Sequence, residues 1–395
     1  MTRNNDRLVV AGGKLVLDQG VLADNDLVIE NGIVKEIVGR GEARHGAVIE
    51  ANGNYVAPGF IDVHTHGSFG IDLVKATPDE LAHMQRCLAE TGVTGFLATV
   101  AGVRRDEISP VVQRLQEARK QPVSGAQILG VHLEGPYLNP ARCGAIPAEV
   151  LEPFGPSIRD FLDSVERPAT MTLAPEQEGA ITLVDQLNRR GIVACGGHSE
   201  ATFEQTVNAV AHGMKHVTHL FNAMSPPHHR SPNIATAALV LDELTLELIA
   251  DGHHVAPPIV ALVNKAKGTD GIILVTDATA AAGMPDGEYT LGEVKVTVRD
   301  GIARTSDGAL AGSTLTLDRA VKNFREFTGA GICEAVKTVT SNPARLLGIE
   351  DKKGKIEPNM HGDITIFDDD LKIIATIVAG KCVWKKPFMK NRSAT

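Results

Sequence analysis

What most limits the fold of this 395-residue chain is a series of eight short apolar runs through its middle, separated by longer stretches. They read GFIDV (59–63), GFLATV (95–100), QILGVHL (127–133), ATMTLA (169–174), GIVACG (191–196), KHVTHL (215–220), TLELIA (245–250) and GIILVT (271–276). Short apolar runs bounded by turn signals suit strands covered on both faces. Segments between them, such as TPDELAHMQRCLAETG and SEATFEQTVNAVAHG, carry an N-cap residue, an early acidic residue and a terminal glycine, as helices do. Strand and helix alternating eight times predict an α/β fold, a (β/α)8 barrel of the TIM type, whose chemistry lies where the strands end. The alternative, a doubly wound open sheet, lacks support because no GxGxxG turn follows an early strand.

The flanks read differently. DLVIENGIVKEIV is two apolar runs around Asn31-Gly32, a pair suited to the positive backbone angles of a hairpin turn. GDITIFDDDLKIIATIVAGKCVWKKP again shows short β-type runs, broken at Asp368 to Asp370 and at Ala379-Gly380. Neither piece is large enough to bury a core alone. Together they are expected to form a small β-sandwich domain from residues 1–58 and 350–395, with the barrel domain, 59–349, inserted between. After the eighth run, EVKVTVRDGIART reads as a hairpin about Asp300-Gly301 that elaborates a loop on the active face, and Ser313 as the N-cap of the last barrel helix.

Composition narrows the partners. The 48 acidic and 39 basic residues give a formal charge of -9 without long like-charge blocks, which argues against a nucleic-acid surface and for a small-molecule partner. Five scattered cysteines with no CxxC pair indicate neither a disulfide framework nor a thiolate metal site, and fit a reducing compartment. No stretch approaches the ~20 apolar residues needed to span a bilayer, and the start lacks an apolar leader segment. The expectation is a cytoplasmic protein without a membrane partner.

Aligning the runs by their ends brings polar residues of one kind to one rim: His64, His66, Glu134, His198, His219, His254 and Asp277. Residues i and i+2 of a strand share a face, so His64 and His66 can reach one point. Imidazoles and carboxylates at strand ends are the nitrogen and oxygen ligands of zinc or a similar divalent ion. Asp277 ends an otherwise apolar run, where an ionised carboxylate needs a partner. A water acidified by a metal is the natural one, with Asp277 accepting its proton and returning it to a leaving group. That is hydrolysis at a carbonyl or amidine carbon.

PGFIDVHTHG, GVHLEGPYLNP, GGHSEA, VTHLFNAM, ADGHHV, LVTDAT and LAGSTLT, in this order, resemble the amidohydrolase superfamily and, within it, the N-acetylglucosamine-6-phosphate deacetylases. The likeness continues to TSNPARLLGI and GDITIFD, so it covers nearly the whole chain. It implies metal-dependent hydrolysis of the acetamide of an amino-sugar phosphate, in amino-sugar breakdown and cell-wall sugar recycling. It also implies a principal metal site on Glu134, His198 and His219, and Asp277 as the catalytic acid and base. A second ion on His64 and His66, bridged by Glu134, is compatible with the family, some members of which lack those ligands. One or two divalent ions are therefore expected, zinc first, with iron, manganese or cobalt as alternatives. Sugar and phosphate contacts fall on Asn222, Ala223, Arg230, His254 and the Leu310, Ala311, Gly312 backbone. In the family the arginine can come from a neighbouring subunit, which implies a homodimer. The chain departs from the pattern after HLEGPYLNP: a Gly-(Ala/Thr)-His triplet is usual there, but Gly144, Ala145 and Ile146 stand in its place, so Ala145 is kept as a substrate contact while a hydrogen-bond donor is missing. The rival expectations are another amidohydrolase, acting on N-acyl amino acids or cyclic amides, and a non-catalytic barrel scaffold.

Overall fold

The computed structural model describes residues 6–43, 45–154, 158–292 and 294–387. The eight apolar runs supply the eight strands of one parallel sheet: Phe60–Thr65 (β1), Val93–Val100 (β2), Gln127–Glu134 (β3), Thr170–Leu173 (β4), Val193–Gly196 (β5), His216–Val217 (β6), Thr245–Leu248 (β7) and Ile272–Leu274 (β8). Each pairs with its neighbour in chain order. The ends of β8 and β1 then meet: the Asp277 N–H donates to the His64 carbonyl at 2.9 Å and the His66 N–H to the Ala278 carbonyl at 2.8 Å. This seam closes the barrel. Helices cover the outside, which is why the strand runs are apolar on both faces and why β2 is buried at every position.

The helix starts follow local chemistry. Helix Pro78–Ala89 begins at Thr77, whose backbone N–H donates to Glu80 Oε2 at 2.8 Å while its hydroxyl accepts from the Glu80 N–H at 3.4 Å. That is a capping box. The last large barrel helix, Leu317–Thr328, starts after Thr316, so Ser313 is not its N-cap. Instead the Ser313 hydroxyl donates to the Thr276 carbonyl and its N–H to the Asp277 carbonyl at 2.7 Å, tying the loop to the end of β8. A serine a few residues before a helix serves either purpose, and here the unpaired carbonyls past β8 claim it.

The two ends of the chain share a second, eight-stranded sheet. Strand Ile364–Phe367 pairs antiparallel with Tyr55–Pro58, which joins N-terminal strands to C-terminal ones. Leu15, Leu27, Ile29, Val56, Ile364 and Ile366 meet in its core. Strand Arg7–Leu17 carries a bulge at Gly12-Gly13, where a Cβ on Gly13 would stand 2.4 Å from the Val56 side chain. Only glycine allows that approach. Both expected hairpin turns are present, with φ of 52° and 81° at Asn31 and Gly32, and 51° and 72° at Asp300 and Gly301. The second belongs to a three-stranded sheet, Gly287–Leu291, Val294–Arg299 and Ile302–Arg304, that rises over the barrel mouth. All five cysteines are unpaired. Among the described residues no helix is long and apolar enough to cross a membrane.

Candidate metal centre and its cavity

Glu134 stands at the middle of the polar rim, at the end of β3, and its two oxygens face two different histidine pairs. Oε1 is 2.9 Å from both His198 Nε2 and His219 Nε2, and those two nitrogens are 3.1 Å apart. Oε2 is 3.3 Å from His66 Nε2 and 3.7 Å from His64 Nε2, and these nitrogens are 3.2 Å apart. Asp277 Oδ1 closes the second group, 3.1 Å from His66 Nε2 and 3.4 Å from His64 Nε2. All six side chains are buried or nearly so. The carboxylate of Glu134 thus belongs to both clusters, each of which could hold a metal ion.

Backbone geometry aims three of these side chains. His198, His219 and Asp277 follow the ends of β5, β6 and β8 with φ of 48°, 26° and 47°, in the left-handed region that non-glycine residues avoid. Such strain persists where the surroundings over-determine it, and it collects at functional sites.

Proton counting says what belongs between the rings. His198 Nδ1 lies 2.8 Å from the Arg142 carbonyl, which can only accept, so the ring carries its proton on Nδ1. His64 Nδ1 lies 2.9 Å from Glu247 Oε2 and is fixed in the same way. In the neutral form both rings therefore turn a bare Nε2 lone pair toward other lone pairs and carboxylate oxygens. A cation resolves that conflict, and the tautomer is the one a metal ligand requires. The donor set of imidazole nitrogens and a shared carboxylate fits a divalent ion with nitrogen and oxygen ligands.

The electrostatics agree. Burial opposes a charge on His64, yet the Glu247, Glu134 and Asp277 carboxylates hold its pKa well above the usual imidazole range. Burial likewise opposes ionisation of Glu134, but His64, His198 and His219 hold it well below the carboxylate range. A concentrated negative charge in a dry site, countered only by imidazoles, is what a metal centre supplies to its ion.

Several participants lie inside the apolar runs and escaped the sequence reading. Glu247 on β7 touches His64, His216 and the backbone N–H of His219. His132 on β3 packs edge-on against the His64 ring at 4.6 Å and sits between the hydroxyls of Thr99 and Thr172. Burial first, and His64 second, depress its pKa to about 3, so it is a neutral spacer. Asp62 on β1 is pushed up to about 6 by burial despite hydrogen bonds from the Thr276 hydroxyl and the His64 N–H. The available signal was a charged residue in the middle of an apolar run, as in TLELIA and GFIDV.

The centre forms the floor of a cavity of about 270 Å³ that also takes in Ala145, Asn222, Ala223, His254, Leu310 and Gly312. His254 is oriented by Asp251, whose Oδ2 is 2.6 Å from His254 Nδ1 and whose Oδ1 accepts the His253 and His254 N–H groups. Gly312 has φ +55°, and a Cβ there would lie 2.8 Å from the Asp277 carbonyl, so the loop can pass this close to Asp277 only as glycine. Two expected contacts fall elsewhere. Arg230 is exposed, outside this cavity, with its guanidinium 2.7 Å from His229 Nε2. Ala311 is wholly buried beneath the three-stranded sheet, and its N–H is taken by the Ala303 carbonyl at 3.2 Å, so that backbone donor is not free. Ile146 and Pro147 make an apolar stretch of wall. A larger cleft, about 1080 Å³, lies at the opposite barrel end, between the starts of β3 and β5 and the final strand of the terminal sheet. It holds none of the clustered ligands and does not compete as a reaction site.

Residues 55–383 match the model of the amidohydrolase family. The chain is 37% identical over 359 residues to the N-acetylglucosamine-6-phosphate deacetylase of Vibrio furnissii, covering 90% of each chain. It is 35% identical over 375 residues to the N-acetylgalactosamine-6-phosphate deacetylase of Escherichia coli O157:H7, covering 94% of this chain and 98% of that one. The crystal structure of N-acetylglucosamine-6-phosphate deacetylase from Thermotoga maritima superposes with a TM-score of 0.87 at 36% identity, covering 96% of this chain and all of the other.

Proposed function

Because the chain belongs to the amidohydrolase family, a metal-dependent family, we propose that it hydrolyses the acetamide of N-acetyl-D-glucosamine 6-phosphate to acetate and D-glucosamine 6-phosphate. The observation that carries this reading is the pair of histidine clusters sharing Glu134, with Asp277 at their edge and a small cavity above them. Glu134, His198 and His219 would hold the principal ion, and His64 and His66 a second one; nitrogen and oxygen donors favour zinc, ahead of iron, manganese or cobalt. When bound, such an ion polarises an amide carbonyl and acidifies a water. Asp277 takes the water's proton on its carboxylate as the water oxygen bonds to the acyl carbon. The same carboxylate returns the proton to nitrogen as the C–N bond breaks, so the amine leaves neutral and one water is consumed. His254, protonated on Nδ1 toward Asp251, keeps Nε2 as an acceptor for a sugar hydroxyl. Asn222, the Ala223 and Leu310 backbone, Ala145 and Gly312 complete the sugar pocket.

Arg230 supports a homodimer in which it meets the phosphate of substrate bound to the other subunit, since it is exposed and absent from its own cavity. The barrel, residues 59–349, is the catalytic unit, and the reading places the enzyme in the cytoplasm, in amino-sugar breakdown and cell-wall sugar recycling. A relative of comparable identity is named for the C4 epimer, which makes N-acetylgalactosamine 6-phosphate the second substrate to try. The test is acetate release by metal-reconstituted protein from both acetylated hexosamine phosphates, from unphosphorylated N-acetylglucosamine, and from N-acyl amino acids and cyclic amides. Turnover of a hexosamine phosphate at least tenfold above every other substrate is expected. Activity confined to acyl amino acids or ring amides would move the chain to another amidohydrolase activity, and no turnover together with no metal uptake would leave a scaffold.

A further inference from the structure

Glu247 sits where no reacting atom needs it, yet, like the shared Glu134, it touches members of both histidine pairs. It is 3% exposed, on β7, facing the barrel interior. Oε2 lies 2.9 Å from His64 Nδ1 and 3.0 Å from the backbone nitrogen of His219; Oε1 lies 3.3 Å from His216 Nε2. The Glu247 carbonyl also accepts the Leu220 N–H at 3.0 Å, which fixes the chain on the far side of His219. His216 is itself held by the Thr245 hydroxyl, 2.7 Å from its Nδ1.

Two consequences follow from accepting those hydrogen bonds. His64 is locked with its proton on Nδ1, so Nε2 is free to bind an ion. The His219 N–H is anchored at a residue with φ of 26°, and that strained turn is what swings its ring toward Glu134. One oxygen atom thereby sets the tautomer of a ligand in one pair and the backbone of a ligand in the other. From this geometry we infer that Glu247 is a positioning residue that orients His64 and His219 together and so couples the two metal-binding clusters. The inference rests on the metal-centre reading above.

Glutamine can imitate the arrangement: its carbonyl oxygen replaces Oε2, and its amide donates to His216 Nε2 if His216 gives its Nδ1 proton to Thr245. Leucine cannot, and aspartate, one methylene shorter, cannot reach both partners. Metal-stripped wild type, Glu247→Gln, Glu247→Asp and Glu247→Leu are titrated with Co(II), following visible absorption, with the melting temperature of each metal-free form measured in parallel. The expected result is Co(II) binding weakened about 10- to 100-fold in the Leu variant and about tenfold in the Asp variant, affecting both ions, with binding by the Gln variant within a few-fold of wild type. If the Leu variant does not fold, the Asp and Gln variants carry the comparison. Wild-type affinity in the Asp variant, or lower metal-free melting temperatures with unchanged Co(II) affinity, would overturn the inference and leave Glu247 as a packing residue. Wild type that takes up no Co(II) would instead sink the metal-centre reading itself, and the inference with it.

Discussion

The two histidine pairs of the centre use the same atoms and one shared carboxylate, but they differ in what surrounds them. His64 is wholly enclosed, with Glu247 and His132 behind it and Asp277 beside it. His66, His198 and His219 line the cavity directly, and His198 hangs from the Arg142 carbonyl rather than from the barrel interior. His64 alone stands on a buried strand; His66, His198 and His219 follow strand ends on turns. Rigid backing suits a group that sets charge and orientation, whereas an open flank suits the group a substrate must approach.

Four substitutions and one titration put that division under pressure. Asp277→Asn keeps the shape of the carboxylate beside His64 and His66 and removes its proton-accepting oxygen. Turnover should fall by about 10³-fold or more with metal content retained, and near-normal turnover measured by acetate release would end its assigned role. His219→Asn should cost nearly as much, roughly 10²- to 10³-fold, because it opens the substrate-facing cluster, while His64→Asn should cost about tenfold and one ion per subunit by elemental analysis. Equal losses from the two would erase the distinction between the pairs. Stepwise chelation makes the same point without mutation. An ion between His198 and His219, whose rings are held on turns and not backed by the buried His64 and Glu247, should leave first and take the activity with it; activity that survives loss of the first equivalent would reverse the order. The smallest effect is expected at the apolar wall: Ile146→His restores a donor, and one hydrogen bond of about 1 kcal/mol should lower KM for the phosphorylated sugar by several-fold while leaving kcat unchanged. A change in kcat instead would bring that wall into the chemistry.

How much of this was legible in the sequence follows from where each residue sits on its strand. Eight apolar runs announced the barrel because both faces of its strands are covered, so the runs stand out from everything between them. His64, His66, Glu134, His198 and Asp277 were visible because each follows a run, where a polar residue breaks the pattern, and His219, inside KHVTHL, because VTHLFNAM carries the family resemblance. Glu247, His132, His216 and Asp62 were not, since they lie within runs and the period alone cannot say that the interior of this barrel is wired with hydrogen bonds rather than filled with aliphatic side chains. Ala311 lies outside the cavity because motif order fixes neighbours along the chain, and which side of a loop faces the site depends on contacts made far away. Ser313 was assigned to a helix start on local chemistry, and a carbonyl 37 positions earlier claimed it.

The seam that closes the barrel runs through the centre itself, since the Asp277 N–H is bonded to the His64 carbonyl and the Asp277 carbonyl to the Ser313 N–H. During synthesis on the ribosome, then, the histidines of β1, β5 and β6 emerge long before the strand that completes them. Until β8 and the loop beyond it have left the exit tunnel, the barrel cannot close and Asp277 cannot stand beside His64 and His66, however many of the centre's histidines the partly made chain already displays.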